Sequence, residues 1–403
     1  MFYLDSNDKE MCCGCQACKM ICPTNCISMH EDERGFVYPK KDKELCIDCG
    51  MCEEVCPFIQ KSRIDYDNNM EFPKAYLAIN KDEDILFNSA SGGVFSAVTN
   101  TFCDDNFVVF GVQFDQSFNA IHTHTDSIEG TYKYRKSKYL QSDISSSYKE
   151  AEEFLKKGKK VLFTGTPCQI AGLRLYLGKD YENLLCLDLV CHGVPAQAIF
   201  NKYLNYLEFE HGGKVTGFTF RHKTVDEKGI RNSRNVKMDI GSKEIIMNSK
   251  NDKYLRGFHN ALFYRPSCYN CKYANPNRIS DITMADFWGV DKLFPEEDVH
   301  KGVSVILVNT KKGQNIVKQL DSDMYLKETD LQYVVNRNTQ LNRPTTKHKR
   351  YDDFFRIFDS MRFDEAVDHC IPEPSLIKKI ASKILPLEVK RLIKSIINNS
   401  GGI

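Results

Sequence analysis

Eight cysteines within the first 57 residues carry the densest chemistry in this sequence. Cys12, Cys15, Cys18 and Cys22 precede Pro23, and Cys46, Cys49, Cys52 and Cys56 precede Pro57, so the pattern C-x2-C-x2-C-x3-C-P occurs twice. Three thiolates at that spacing wrap one face of a cubane 4Fe-4S cluster, while the fourth, redirected by the proline, reaches the other cluster. The pattern pairs Cys12, Cys15 and Cys18 with Cys56, and Cys46, Cys49 and Cys52 with Cys22. Zinc is the alternative for C-x2-C pairs, but a zinc site separates its two pairs by a longer loop. Here four cysteines crowd into eleven residues, twice, and two iron-sulfur clusters are the reading they support.

Of the cysteines that remain, four stand where ligands would. Cys168 follows an apolar run in KKVLFTGTPCQ, Cys191 ends a second such run in LLCLDLVCHG, and Cys268 and Cys271 form a further C-x2-C. Two adjacent strands would deliver Cys168 and Cys191 to one sheet edge, which makes a third 4Fe-4S cluster the hypothesis for these four. Cys13, Cys26, Cys103, Cys186 and Cys370 are left over, as buried core cysteines often are.

The elements that must position these groups are legible in outline. Residues 1–60 read as an α+β, ferredoxin-like two-cluster module, with 34–42 as strand and turn, and the polar stretch 61–73 reads as a linker. Apolar β-prone runs at 74–80, 107–115, 159–165, 184–191 and 302–310 alternate with helical segments, which predicts an α/β catalytic body. The sheet is expected to be mixed, to end at the last of these strands, and to carry an antiparallel portion over 215–248. The body divides into 74–155 and 156–320, followed by an extension over 321–403. Ligands on such folds gather at the carboxyl ends of strands. TGTPCQ matches neither a dinucleotide fingerprint nor a P-loop.

Bulk properties narrow the function. With 55 basic and 54 acidic residues, no global field recruits nucleic acid. Seventeen cysteines in cluster spacing imply reduced thiolates, and without a signal sequence or a membrane-spanning run the expected location is cytoplasmic. The tail 376–397 alternates apolar residues with six Lys/Arg around Pro386. Two short basic amphipathic helices there would either dock on the body or touch an anionic inner membrane face.

Several polar groups suit an anionic cofactor. Ser91, Gly92 and Gly93 precede a helix whose N-terminus suits a phosphate, and Lys133, Arg135, Lys136 and Lys138 lie among three tyrosines. Between Arg221 and Arg256 ten Lys/Arg face five Asp/Glu, although a solvated face also explains such a run. Arg221, His222 and Lys223 are candidates to hold an anionic substrate or flavin phosphates. His192, beside Cys191, is a candidate catalytic proton donor, with a hydrogen-bond partner to the cluster or a plain structural histidine as the alternative readings.

Taken in order, NSASGG (88–93), SKYLQS (137–142), TGTPCQ (164–169), CHG (191–193), FTFRHK (218–223), Cys268/Cys271 and DITMADFWG (281–289) resemble the β subunit family of coenzyme F420 hydrogenase and dehydrogenase. Similar proteins include plant 7-hydroxymethyl chlorophyll a reductase and bacterial members from polysaccharide loci. The resemblance implies FAD beside an iron-sulfur cluster in the body, with Cys168, Cys191, Cys268 and Cys271 as ligands. It places Ser91, Gly92, Gly93, Lys138, Thr164, Gly165 and Thr166 at the flavin. The expected activity is an iron-sulfur flavoprotein oxidoreductase acting on a small organic substrate or an F420-like cofactor, served by a ferredoxin-type donor or acceptor. The rivals are an electron-transfer subunit of a larger complex, and a non-redox accessory protein of polysaccharide biosynthesis with structural clusters.

Overall fold

The computed structural model describes residues 2–60, 73–227 and 231–373. The expected amphipathic tail at 376–397 and nearly all of the linker lie outside the described residues. Thirteen strands occur among those described: β1 (Ile27–Glu31), β2 (Val37–Lys41), β3 (Lys74–Asn80), β4 (Phe107–Phe114), β5 (Ala120–Thr125), β6 (Lys160–Gly165), β7 (Leu184–Leu189), β8 (Val215–Val225), β9 (Arg231–Ile240), β10 (Lys243–Asn248), β11 (Ile282–Asp286), β12 (Ser304–Val308) and β13 (Met324–Thr329).

Eight of them form one mixed sheet in the order β13-β3-β12-β11-β7-β6-β4-β5. Its centre, β11-β7-β6-β4, is parallel, and its flanks are antiparallel. Both faces are covered, which is why the central strands read as continuous apolar runs. Val108, Phe110, Val161 and Phe163 face the helices Ser147–Lys156 and Pro167–Leu177, while Val109, Leu162, Leu185 and Leu187 face the side of the helix Val94–Phe102.

One expectation fails at the sheet's edge. The sheet continues past β12, because β13 pairs antiparallel with β3 from Met324↔Asn80 to Thr329↔Ala75. MYLKET buries only Met324 fully, so an edge strand with one covered position leaves little apolar alternation to read. The sheet therefore draws strands from all three stretches that the sequence divides at 155 and 320.

As expected, β8, β9 and β10 form an antiparallel unit. It packs through Phe200, Tyr203, Phe220, Tyr254 and Phe363 into an aromatic core shared with the helix Gln197–His211 and the C-terminal helices Tyr351–Ile357 and Phe363–Cys370. At the front of the chain, β1 and β2 pair antiparallel beside two short helices, Ala17–Ile21 and Met51–Glu54. This small unit is not free-standing: Cys15, Ala17, Val55 and Phe58 share a core with Ile170 and Leu173 of the body. No helix among the described residues is long and apolar enough to cross a membrane.

A buried polar net leads from the sheet edge to the turn before Cys168. His122 on β5 donates from Nε2 to Thr164 O at 3.0 Å and accepts at Nδ1 from the Ser142 hydroxyl at 3.0 Å. Gln169 Nε2 donates to Ser142 Oγ, and Gln169 Oε1 accepts from the Thr166 amide. Burial lowers the His122 imidazole from 6.5 to about 4. The unfolded chain takes up this proton near pH 6.5 and the native chain only near 4, so the stabilisation is complete above 6.5 and is lost as pH falls. Between pH 7 and 5 this costs about 2 kcal/mol. Denaturant titrations should show that loss in the native chain and a flatter acid limb in His122→Gln; equal limbs would contradict it.

Candidate metal and electron-transfer centre

The cysteines fall into three groups in space. Cys12, Cys15, Cys18 and Cys56 line one pocket, walled also by Phe2, Met11, Met29 and Pro39. Cys22, Cys46, Cys49 and Cys52 line a second, with Cys26, Ile27, Lys41 and Ile47. The pockets adjoin, since Cys18 lies near enough to Cys52 for the two thiols to interact. They differ in exposure: Cys15 is buried and Cys49 is exposed, and Ile47 at the second pocket is 65% exposed. Among the described residues no group of three or more His, Cys, Asp or Glu side chains closes on a single metal ion; the sulfurs of these two sets surround pockets.

The third group belongs to the body. Cys168 sits in the first turn of the helix Pro167–Leu177, just beyond β6, and Cys191 lies two residues beyond the adjacent parallel strand β7. Cys268 lies in the turn Pro266–Asn270, which Cys271 caps. Burial, then Cys168 and Cys271, push the Cys191 thiol up; burial, then Cys191, Cys271 and Cys168, do the same to Cys268. Burial and Cys168 raise Cys271 to about 11. Four thiols that oppose one another's ionisation need a cationic centre if they are to become thiolates together.

Buried ion pairs hold the loops that carry these cysteines. Arg278 Nη2 donates to Asp188 Oδ2 at 2.7 Å, and Nη1 donates to Tyr273 O at 2.8 Å, which fixes the segment after Cys271 to the end of β7. Arg174 pairs with Asp281 at 3.2 Å. The same segment grips the front module: Tyr273 Oη donates to Pro57 O at 2.8 Å, and Lys272 Nζ donates to Phe58 O.

Two residues that sequence reasoning passed over complete this seam. Cys13 lies close enough to interact with both Cys15 and Cys168, one ligand candidate of each group. Arg265, 0% exposed, donates from Nε to Cys12 O at 2.8 Å, from Nη2 to Val37 O at 2.8 Å and from Nη1 to Gln141 Oε1 at 2.9 Å. The only signals for them were a doubled cysteine, Cys12-Cys13, and an arginine three residues before Cys268. Cys103, Cys186 and Cys370 are packed among apolar residues, as expected of leftover cysteines.

The polar candidates divide into groups already engaged and groups beside an open face. The Gly92 amide donates to Ser304 Oγ at 2.8 Å, and Ser91 Oγ donates to Val303 O at 2.9 Å. Gly93 is the left-handed residue that opens the helix Val94–Phe102. Lys223 Nζ donates to the carbonyls of Leu86, Ser91 and Lys301, Lys138 Nζ to those of Lys133 and Arg135, and Thr164 Oγ1 to Phe110 O. Thr166 forms a capping box with Gln169, and a side chain at Gly165 would meet Gln169. These contacts give each residue a structural duty inside the protein.

The open face lies beyond Cys191. Arg221 makes a two-pronged pair with Asp286 at 2.9 and 3.3 Å and donates to Tyr139 Oη and Ala90 O. His192 is exposed along part of its surface; the surrounding protein lowers its imidazole and Asp286 opposes that effect. Arg234 lies over the exposed Trp288 ring at 5.7 Å. Cations crowd around Lys136 and His222: burial, then Lys237 and Arg135, lower Lys136, and burial, then Lys136 and Lys237, lower His222. Burial and Lys136 bring Lys138 down to about 7, and burial, Arg221 and Arg231 bring Lys223 to about 7.

Comparison with known proteins finds matches to two stretches of the chain. Residues 158–333 match the family model for the C-terminal part of the beta subunit of coenzyme F420 hydrogenase/dehydrogenase. Residues 11–59 match a 4Fe-4S dicluster domain. Among solved structures, the chain is similar to a chain in the xenon-derivatised F420-reducing NiFe hydrogenase complex from Methanosarcina barkeri, with 17% identity, 70% of this chain and 99% of that chain covered, and a TM-score of 0.42. No curated protein matches.

The seam makes a specific stability prediction. Gly14 has φ +70°, and a side chain there would come within 2.9 Å of Arg265 Cζ; Gly178 has φ +66° with open space around it. Both alanine substitutions incur the left-handed penalty of about 1–2 kcal/mol, but only Gly14→Ala should also cost about 1–3 kcal/mol of overpacking. Denaturant midpoints measured side by side test this, and equal losses would mean that the seam yields freely.

Proposed function

Because residues 158–333 match the C-terminal part of the coenzyme F420 hydrogenase/dehydrogenase β subunit and residues 11–59 match a 4Fe-4S dicluster domain, we propose that the chain is a member of that β subunit family and an iron-sulfur flavoprotein oxidoreductase with three 4Fe-4S clusters and FAD. The family and the dicluster domain make it an electron-transfer protein related to redox enzymes. The single observation that carries the finer reading is the succession of three four-cysteine groups from surface to interior: Cys22/Cys46/Cys49/Cys52, Cys12/Cys15/Cys18/Cys56 and Cys168/Cys191/Cys268/Cys271.

In this reading the exposed outer group, beside the exposed Ile47, is where a ferredoxin-type donor or acceptor docks. The inner group and the body group hold the further clusters, with Cys13 in contact with a cysteine of each. When bound, such clusters carry one electron at a time, and a flavin converts single electrons into two-electron chemistry.

The cations crowded around Lys136 and His222 support placing the flavin phosphates beside them. Lys136, His222 and Lys237 disfavour one another's charge, and an anion such as a pyrophosphate relieves that repulsion. Arg221 and Asp286 fix the wall, and Trp288 offers an aromatic face. Ser91, Gly92, Gly93, Lys138, Thr164, Gly165, Thr166 and Lys223 shape the site from behind, through the hydrogen bonds and packing already described. His192, lowered toward neutrality of charge and open to the face, is suited to hold or release a proton for a small organic substrate. A relay role, with a partner protein handling the substrate, fits the same cysteine order and the β subunit family.

The body cluster is the testable core of this reading. In anaerobically prepared protein, Cys268→Ser with Cys271→Ser should remove about a third of the iron and leave the two dicluster signals in low-temperature EPR. Unchanged iron would refute the body cluster. With a chemical reductant, substrate turnover by the isolated chain marks an enzyme, whereas flavin reduction alone marks a relay.

A further inference from the structure

The charge inventory of the buried seam is unbalanced, and the imbalance centres on one side chain. Arg265 is fully buried, and its acceptors are the carbonyls of Cys12 and Val37 and the amide oxygen of Gln141. None of these is a carboxylate. Its guanidinium also lies 4.2 Å over the Tyr38 ring. A buried cation without a counter-ion is strongly unfavourable, and arginine does not shed its proton to escape the cost. The group at hand that can carry negative charge is sulfur: Arg265 Nη2 is 3.7 Å from Cys12 Sγ, and Cys13 and Cys268 lie close enough to interact with it.

An iron-sulfur cluster on four thiolates is anionic in both of its redox states, because the thiolates outweigh the charge of the core. Reduction adds one electron and no proton from Arg265. A fixed cation in contact with one ligand therefore stabilises the reduced state more than the oxidised one, and in a dry site it does so with little screening. We propose that Arg265 is the positioning residue that holds the inner cluster, on Cys12, Cys15, Cys18 and Cys56, at a higher reduction potential than the outer one. Electrons arriving at the exposed group would then settle beside the body.

The outer group has its own cation, Lys41, in the pocket wall, together with the acids Asp5, Asp48 and Glu53. That pocket opens to solvent at Cys49, where water and salt screen such charges. The inference rests on the cluster assignment proposed above.

The test is an anaerobic redox titration of the full chain followed by EPR, with the inner signal identified as the one lost in Cys56→Ser. In Arg265→Gln the inner signal should shift by at least tenfold in its reduction equilibrium, 59 mV lower for one electron, and the outer signal should stay in place. Arg265→Lys, which keeps the charge, should recover part of the shift. If Arg265→Gln loses the inner iron and Arg265→Lys retains it, the charge requirement stands. Intact iron with unmoved midpoints in both variants overturns the proposal, and so does equal iron loss in both. Wild-type protein with no signal sensitive to Cys56→Ser would instead sink the cluster assignment, independently of Arg265.

Discussion

Arg265 donates to Cys12 and Val37 in the front module and to Gln141 in the body, and its own amide donates to Val194 O just beyond Cys191. One buried arginine, through its guanidinium and its backbone, thus ties together the first cysteine motif, the SKYLQS segment, the CHG loop and the turn bearing Cys268. Hydrogen bonds to a charged donor are stronger than neutral ones and costly to leave unmade. Each of these loops is thereby held to one point, and the inner and body cysteines face each other across it. Gly14 leaves the room this requires, since a side chain there would strike both Gln141 and Arg265.

The same seam explains why the front module does not read as a detachable ferredoxin. Its apolar side, Cys15, Ala17, Val55 and Phe58, is covered by the helix Pro167–Leu177, and Gly172 of that helix sits so close that a side chain there would lie 3.0 Å from Cys15 Cβ. Close packing brings two thiol groups within bridging distance through Cys13. Electron transfer requires short gaps, and in the proposed path the gap between the inner and body cysteines is set by a helix glycine, a cysteine that is not in either repeat, and a buried cation.

Features governed by local spacing were legible in the sequence. Three cysteines within seven residues constrain their own geometry, so the dicluster domain needed no tertiary knowledge. Continuous apolar runs identified β6 and β7, and their adjacency, with Cys168 and Cys191 at the carboxyl ends, followed the ordinary logic of parallel sheets. What escaped was set by distant partners. Arg265 and Cys12 lie 253 positions apart, and β13 is an edge strand with too little burial to show a pattern. Gly92 and Lys223 looked like ligand-binding groups by residue type, yet a hydroxyl from β12 and three backbone carbonyls engage them. Residue type marks what a side chain can do, and only the fold shows whether its bonding capacity is already used.

The central claim is a third cluster in the body, lying between the dicluster domain and the basic face beyond Cys191. Iron and acid-labile sulfide counted per chain in anaerobically purified, full-length protein test it most directly. Three clusters predict about twelve iron and twelve sulfide atoms; about eight of each, with both dicluster EPR signals at full intensity, would contradict the claim.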